Sequence, residues 1–118
     1  MSFKGILLFA ALLLIAVFVL GFQASAQTFG TVQGTVTDQT NAVVPGLTVE
    51  IHNPVSGFSR SVQTDGTGHF SIPNVPFNPY HLTVSGKGFS PYAQDVDVRS
   101  VVPVSLTIAL KVTVQVKP

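Results

Sequence analysis

Three histidines, His52, His69 and His81, are the side chains of this 118-residue chain best suited to acid–base or metal chemistry near neutral pH. All three fall on the polar parity of short alternating stretches, so adjacent strands would set imidazoles on one face where a metal could be held. No H-E-x-x-H or comparable spacing accompanies them. A zinc peptidase also needs a catalytic glutamate, and Glu50 is the single glutamate present. Solvated strand histidines are therefore the expectation, with no catalytic residue, metal ligand or cofactor assigned. Asp65-Gly66-Thr67 hints at a calcium loop but lacks the alternating oxygen ligands and distal glutamate of an EF-hand, so it reads as a turn. Asp95 and Asp97 share a strand face and read as a solvated edge rather than a paired acid and base. No G-x-S-x-G elbow presents a serine nucleophile.

A sugar-binding surface offers exposed aromatic planes on which rings stack. Tryptophan is absent, and Phe70, Tyr80 and Phe89 have inward parity or plug positions. Phe58, Phe77 and Tyr92 remain as the candidate ligand-facing aromatics. Found coplanar, they would favour a polysaccharide; found buried or scattered, they would favour a protein docked by shape and backbone pairing.

The elements that must position these residues begin after a leader. Lys4 supplies a positive start, Ile6 to Leu20 is an unbroken apolar run, and Ala24-Ser25-Ala26 is a small-residue cleavage site before Gln27. Residues 1–26 thus read as a secretory signal peptide and the only membrane-seeking segment. A retained anchor is the alternative, since Ile6 to Phe22 reaches the lower length limit for a span. The address is exported: periplasm, outer membrane or extracellular. With no cysteine, neither a lipid-modified cysteine nor a disulfide is available. From Gln27 on, Arg60, Lys87, Arg99, Lys111 and Lys117 balance Asp38, Glu50, Asp65, Asp95 and Asp97. That neutrality argues against nucleic acid, whose binding needs a basic stripe.

Residues 27–110 repeat one grammar of alternating strands between glycine and proline corners. Val32, Gly34 and Val36 alternate with threonines and Gln33 in a first strand. Pro45-Gly46 then places proline and glycine at the two centres of a type II turn. Leu47, Val49 and Ile51 face inward in a second strand that Asn53-Pro54 stops. Phe58 to Thr64 is a third strand, Asp65-Gly66-Thr67-Gly68 the turn, and Phe70 to Pro73 a fourth. The prolines around Asn74 to Pro79 predict an irregular crossover. Tyr80, Leu82 and Val84 mark a fifth strand, Pro91-Tyr92 a short loop, Asp95 to Arg99 a sixth strand, and Val104 to Leu110 a seventh. Residues 111–118 form a C-terminal extension whose lysines and final proline discourage edge pairing. Nothing after Gln27 has a helical period, so the sum is an all-β, seven-stranded antiparallel β-sandwich.

Five stretches carry a resemblance: Gly34-Thr35-Val36-Thr37-Asp38, Val44-Pro45-Gly46-Leu47-Thr48-Val49, Thr64 through Pro76, Tyr80-His81-Leu82-Thr83-Val84, and Gly88-Phe89. In content and order they resemble the carboxypeptidase regulatory-like domain, over nearly all of the chain beyond the leader. Phe77-Asn78-Pro79 departs from the family's more usual Pro-Gly approach to the tyrosine. The resemblance implies a transthyretin-like (prealbumin-like) sandwich and an accessory, non-catalytic role. Such domains sit beside metallocarboxypeptidase catalytic domains, on secreted bacterial proteins and at the N-terminus of TonB-dependent outer-membrane receptors. A leader followed directly by this domain is similar to the start of such receptors, with an envelope protein or receptor barrel as implied partner. A free-standing protein and a piece of a larger one both fit. A carbohydrate-binding module of the envelope is the alternative.

Overall fold

The computed structural model describes residues 3–21 and 28–113. The expected cleavage site at Ala24-Ser25-Ala26 and positions 114–118 of the expected extension lie outside the described residues. The apolar N-terminal stretch forms one helix, α1 (Phe3–Gly21). Its described side chains, among them Ile6, Leu8, Phe9 and Leu12, are exposed, as a helix with no polar stripe has no face to reserve for solvent.

Seven strands follow: β1 (Phe29–Thr37), β2 (Thr48–His52), β3 (Ser59–Gln63), β4 (His69–Pro76), β5 (Asn78–Ser85), β6 (Tyr92–Val98) and β7 (Val104–Ala109). They form two sheets, sheet A in the order β4-β1-β7 and sheet B in the order β3-β2-β5-β6. The expected seven-stranded sandwich is what the chain builds. One pairing differs from an all-antiparallel reading, because β7 runs parallel to β1, with Val32 opposite Val104 and Thr37 opposite Ala109. The reason lies where β6 ends: a side chain at Gly30 would meet Val98 and the Ser100 carbonyl. The crossing segment therefore reaches sheet A at the pole where β1 starts, and β7 has to leave that pole in β1's direction.

The proline-rich stretch is also strand rather than irregular crossover. β4 runs through Pro73 and Pro76, and only Phe77 separates it from β5. β4 is an edge strand, where a missing N–H costs no ladder bond. Asn74, at φ 56°, lies where the β1 register shifts between Gly30 and Val32, as a bulge does. Pro79 sits past the end of β2, where its carbonyl accepts a hydrogen bond from Asn53 Nδ2 at 2.8 Å. β6 starts at Tyr92, ahead of the expected Asp95, because Tyr92, Ala93 and Gln94 pair with Val84, Thr83 and Leu82. After β7, Val112 bridges to Phe89 and the Thr113 N–H donates to the Gly88 carbonyl, so the start of the extension does pair.

Between the sheets, Val32, Val36 and Ile72 from sheet A meet Val49, Ile51, Leu82 and Val84 from sheet B, all fully buried. Burial of this kind contributes about 25 cal/mol per Å² of apolar surface. Tyr80 is buried among them; its hydroxyl donates to the Pro76 carbonyl at 2.6 Å, and desolvation raises its pKa. Two buried polar side chains fix corners. The Thr64 hydroxyl donates to the Val44 carbonyl at 2.8 Å and accepts from the Leu47 N–H at 2.9 Å, clamping the Pro45-Gly46 turn. Asn53 Oδ1 accepts from the Val55 and Ser56 N–H groups at 2.9 and 2.8 Å, closing the loop after β2.

Gly34 gives the sharpest test of this packing. An added Cβ would lie 2.5 Å from the Leu106 carbonyl oxygen on β7 and 2.9 Å from ring carbons of Phe70, its register partner on β4. Gly34→Ala should cost about 2 kcal/mol through overpacking, read as a lower urea midpoint with unchanged slope; a midpoint equal to the parent's would contradict this account of sheet A.

Candidate functional site

Alternation along β2, β5 and β6 places Thr48, Glu50, His52, His81, Thr83, Ser85, Asp95 and Asp97 on the outer face of sheet B. Register aligns four of its residues in one row across the sheet: Ser59 opposite His52, His52 opposite His81, and His81 opposite Asp95. The Asp95 carboxylate accepts a hydrogen bond from His81 Nδ1 at 2.7 Å, both side chains largely exposed. Since the carboxylate can only accept, Nδ1 carries a proton, and Nε2 is the nitrogen left for a ligand. A recess of about 230 Å³, lined by Asn53, Pro54, Val55, Pro79 and Tyr80, adjoins this pair.

The three histidines therefore do not converge. His69 lies opposite Thr35 on sheet A, and among the described residues no three metal-ligating side chains come together. Asp97 is paired with Arg99 and Asp95 with His81, so the two carboxylates do not share a proton. Ser59 lies two strands from His81, with His52 between them.

Nor do the three candidate aromatics meet. Phe58 precedes β3 at one edge of sheet B, edge-on to Tyr80 at 5.8 Å between ring centroids and capped by the Arg60 guanidinium at 5.1 Å. Tyr92 opens β6 at the opposite edge, where its hydroxyl donates to Gln94 Oε1 at 2.7 Å. Phe77 is the bend between the sheets. All three are half-buried and packed against the core. Arg60, whose guanidinium donates to the Pro73 carbonyl, was not legible as a sheet-to-sheet tie; its inward parity on β3, unusual for a charged residue, was the available signal.

The turn residues sit where the spacing put them. Gly46 and Gly68 have φ of 72° and 74°, conformations that glycine adopts without strain. Asp65 Oδ1 accepts from the Thr67 N–H at 2.9 Å, the Thr67 hydroxyl at 2.7 Å and the His69 N–H at 3.0 Å, closing the loop through Gly66. Asp38 repeats the device with the Thr40 hydroxyl and the Thr40 and Ala42 N–H groups. These bonds, led by the threonine hydroxyl in each case, hold both carboxyl groups below their ordinary pKa.

With this geometry, the carboxypeptidase regulatory-like domain family matches residues 31–111, from β1 to just past β7. The chain belongs to that family. Solved structures similar to this regulatory-like domain include the TIE protein of Bacillus anthracis (TM-score 0.64, 17% identity, 73% of this chain and 17% of that one). The minor pilin GBS52 of Streptococcus agalactiae is similar as well (0.62, 17%, 77% and 48%). So is catechol 1,2-dioxygenase of Acinetobacter radioresistens (0.63, 13%, 80% and 55%). At these identities the likeness is one of fold, and the regulatory-like domain spans less than two thirds of each of those chains. No curated protein matches it.

A depressed carboxyl pKa contributes stability above the unfolded value near 3.8, which is lost as pH falls through the lower folded value. The urea midpoint should therefore drop between about pH 5 and about pH 2. A D38N/D65N variant, which keeps the acceptor oxygens, should lose less over that range; acid sensitivity equal to the parent's would contradict the assignment.

Proposed function

We propose that this chain is a non-catalytic accessory domain of an exported or surface protein, the N-terminal module of a TonB-dependent-receptor-like protein, and that it docks an envelope protein partner. The reading rests on the family, on the leader, and above all on one feature of the sandwich: the edge of β7.

Sheet edges invite pairing with other chains, and proteins blunt them with proline, charge or bulges. β4 carries Pro73, Pro76 and the Asn74 bulge; β6 carries Asp95 and Asp97; β3 is short and carries Arg60. β7, Val-Ser-Leu-Thr-Ile-Ala, carries no charge, proline or register shift. Because the Leu110 N–H bonds to Thr37 of β1, parity turns the backbone groups of Ser105, Thr107 and Ala109 to the free side. An extended segment of a receptor barrel or its plug can add there as a fourth strand of sheet A.

A polysaccharide ligand has less support, since Phe58, Phe77 and Tyr92 form no common plane. Catalysis has none beyond the His81–Asp95 pair, which has no nucleophile within reach among the described residues.

A photo-crosslinking residue at Thr107, in the full chain exported by its host, tests the docking. It should give an adduct with an outer-membrane barrel protein, while the same residue at Glu50 on sheet B should not. Equal labelling from both positions, or labelled polysaccharide, would overturn it. N-terminal sequencing of the exported chain checks the leader and should begin at Gln27.

A further inference from the structure

We propose that His52 and His81 are a two-nitrogen binding site for a borderline divalent transition ion, Cu²⁺ in preference to Zn²⁺, with Asp95 as its positioning residue. The argument starts from register. His52 and His81 are direct antiparallel partners on the two central strands of sheet B and project from the same face. Such partners have Cβ atoms about 5 Å apart, within reach of one ion held by two imidazole nitrogens. Both strands are bonded on both sides over this stretch, so little backbone freedom is lost on binding.

Asp95 adds the second element. By accepting from Nδ1–H it holds the His81 ring in place and leaves Nε2 as the ligating nitrogen, the arrangement by which carboxylates orient metal-binding histidines. Charge on the face is the third. Glu50, Asp95 and Asp97 are exposed there, Arg99 beside them is paired with Asp97, and Lys87 lies beyond the Ser85 end of β5, away from the histidine row. The resulting negative field favours a dication. The outer face of sheet A, with Gln33, Thr35, Ser71, Ser105, Thr107 and the lone His69, has no charged side chain.

Two imidazoles select copper, zinc or nickel over magnesium and calcium, and copper binds most tightly in that series. Since no third protein ligand converges among the described residues, water completes the coordination. The site is open and exchangeable, suited to capturing an ion rather than to holding the fold together.

The test is a Cu²⁺ titration of the full chain recovered from the host's exported fraction, followed by electron paramagnetic resonance and amide NMR. One Cu²⁺ should bind with hyperfine coupling to two nitrogens, and paramagnetic broadening should centre on residues 51–53, 80–82 and 94–96. His52→Asn and His81→Asn should each weaken binding at least about tenfold, Asp95→Asn about tenfold, and His69→Asn not at all. Mg²⁺ and Ca²⁺ should leave the spectra unchanged. Broadening centred on His69 or on the amino terminus, or Cu²⁺ affinity unchanged in the His52→Asn/His81→Asn double variant, would overturn the proposal.

Discussion

The sandwich depends on two side chains that β1 does not have. Gly30 and Gly34 alternate with Val32 and Val36 on its inner face, and each leaves a space that another element fills. The Phe70 ring rests over Gly34, and the end of β6 closes on Gly30 at Val98 and Ser100. The first contact seats β4 on one side of β1; the second brings sheet B against sheet A and delivers the chain to the start of β7. Interiors packed like crystals leave no slack to accommodate even one methyl group at such points. The rest of the core, mostly Val, Ile and Leu, could be exchanged by volume-conserving substitutions more readily than these two absences could be filled.

Around that centre, the polar residues divide into those consumed by the fold and those left over. Asp38 and Asp65 each gather three donors on one oxygen, and Thr64 and Asn53 clamp corners from inside. What is left over is distributed unevenly: among the described residues, sheet A shows an uncharged hydroxyl surface and an unpaired β7 edge, whereas sheet B shows acids and paired imidazoles. The two faces of one small domain thus offer quite different chemistries to their surroundings.

Much of this was legible in the sequence, and the failures have physical causes. Period-two alternation located all seven strands and the inward residues of most of them, though not Arg60 and Val62 on β3 or Val75 in the proline stretch, because half-buried strands must alternate. The Asp65 turn and the Pro45-Gly46 corner followed from local backbone preferences. The prolines misled at Pro73 and Pro76 because their cost depends on whether a strand lies at an edge, which is a property of the sheet. Tyr92 reads as loop in the sequence because the partner that makes it strand, Val84, lies across a turn. The parallel β1–β7 pair required knowing where β6 ends. The histidines gave the clearest case: parity placed all three outward, but only register could say that His52 meets His81 while His69 belongs to the other sheet.

That parallel pair also fixes how the domain would carry load. Because β1 and β7 point the same way, the chain enters at one pole and departs from the other, about 30 Å away along a nine-residue strand. Tension between an upstream tether and a downstream body would act along the β1–β7 ladder and strain its hydrogen bonds together in shear, not one after another as in unzipping. A module threaded in this way makes a stiff link in series.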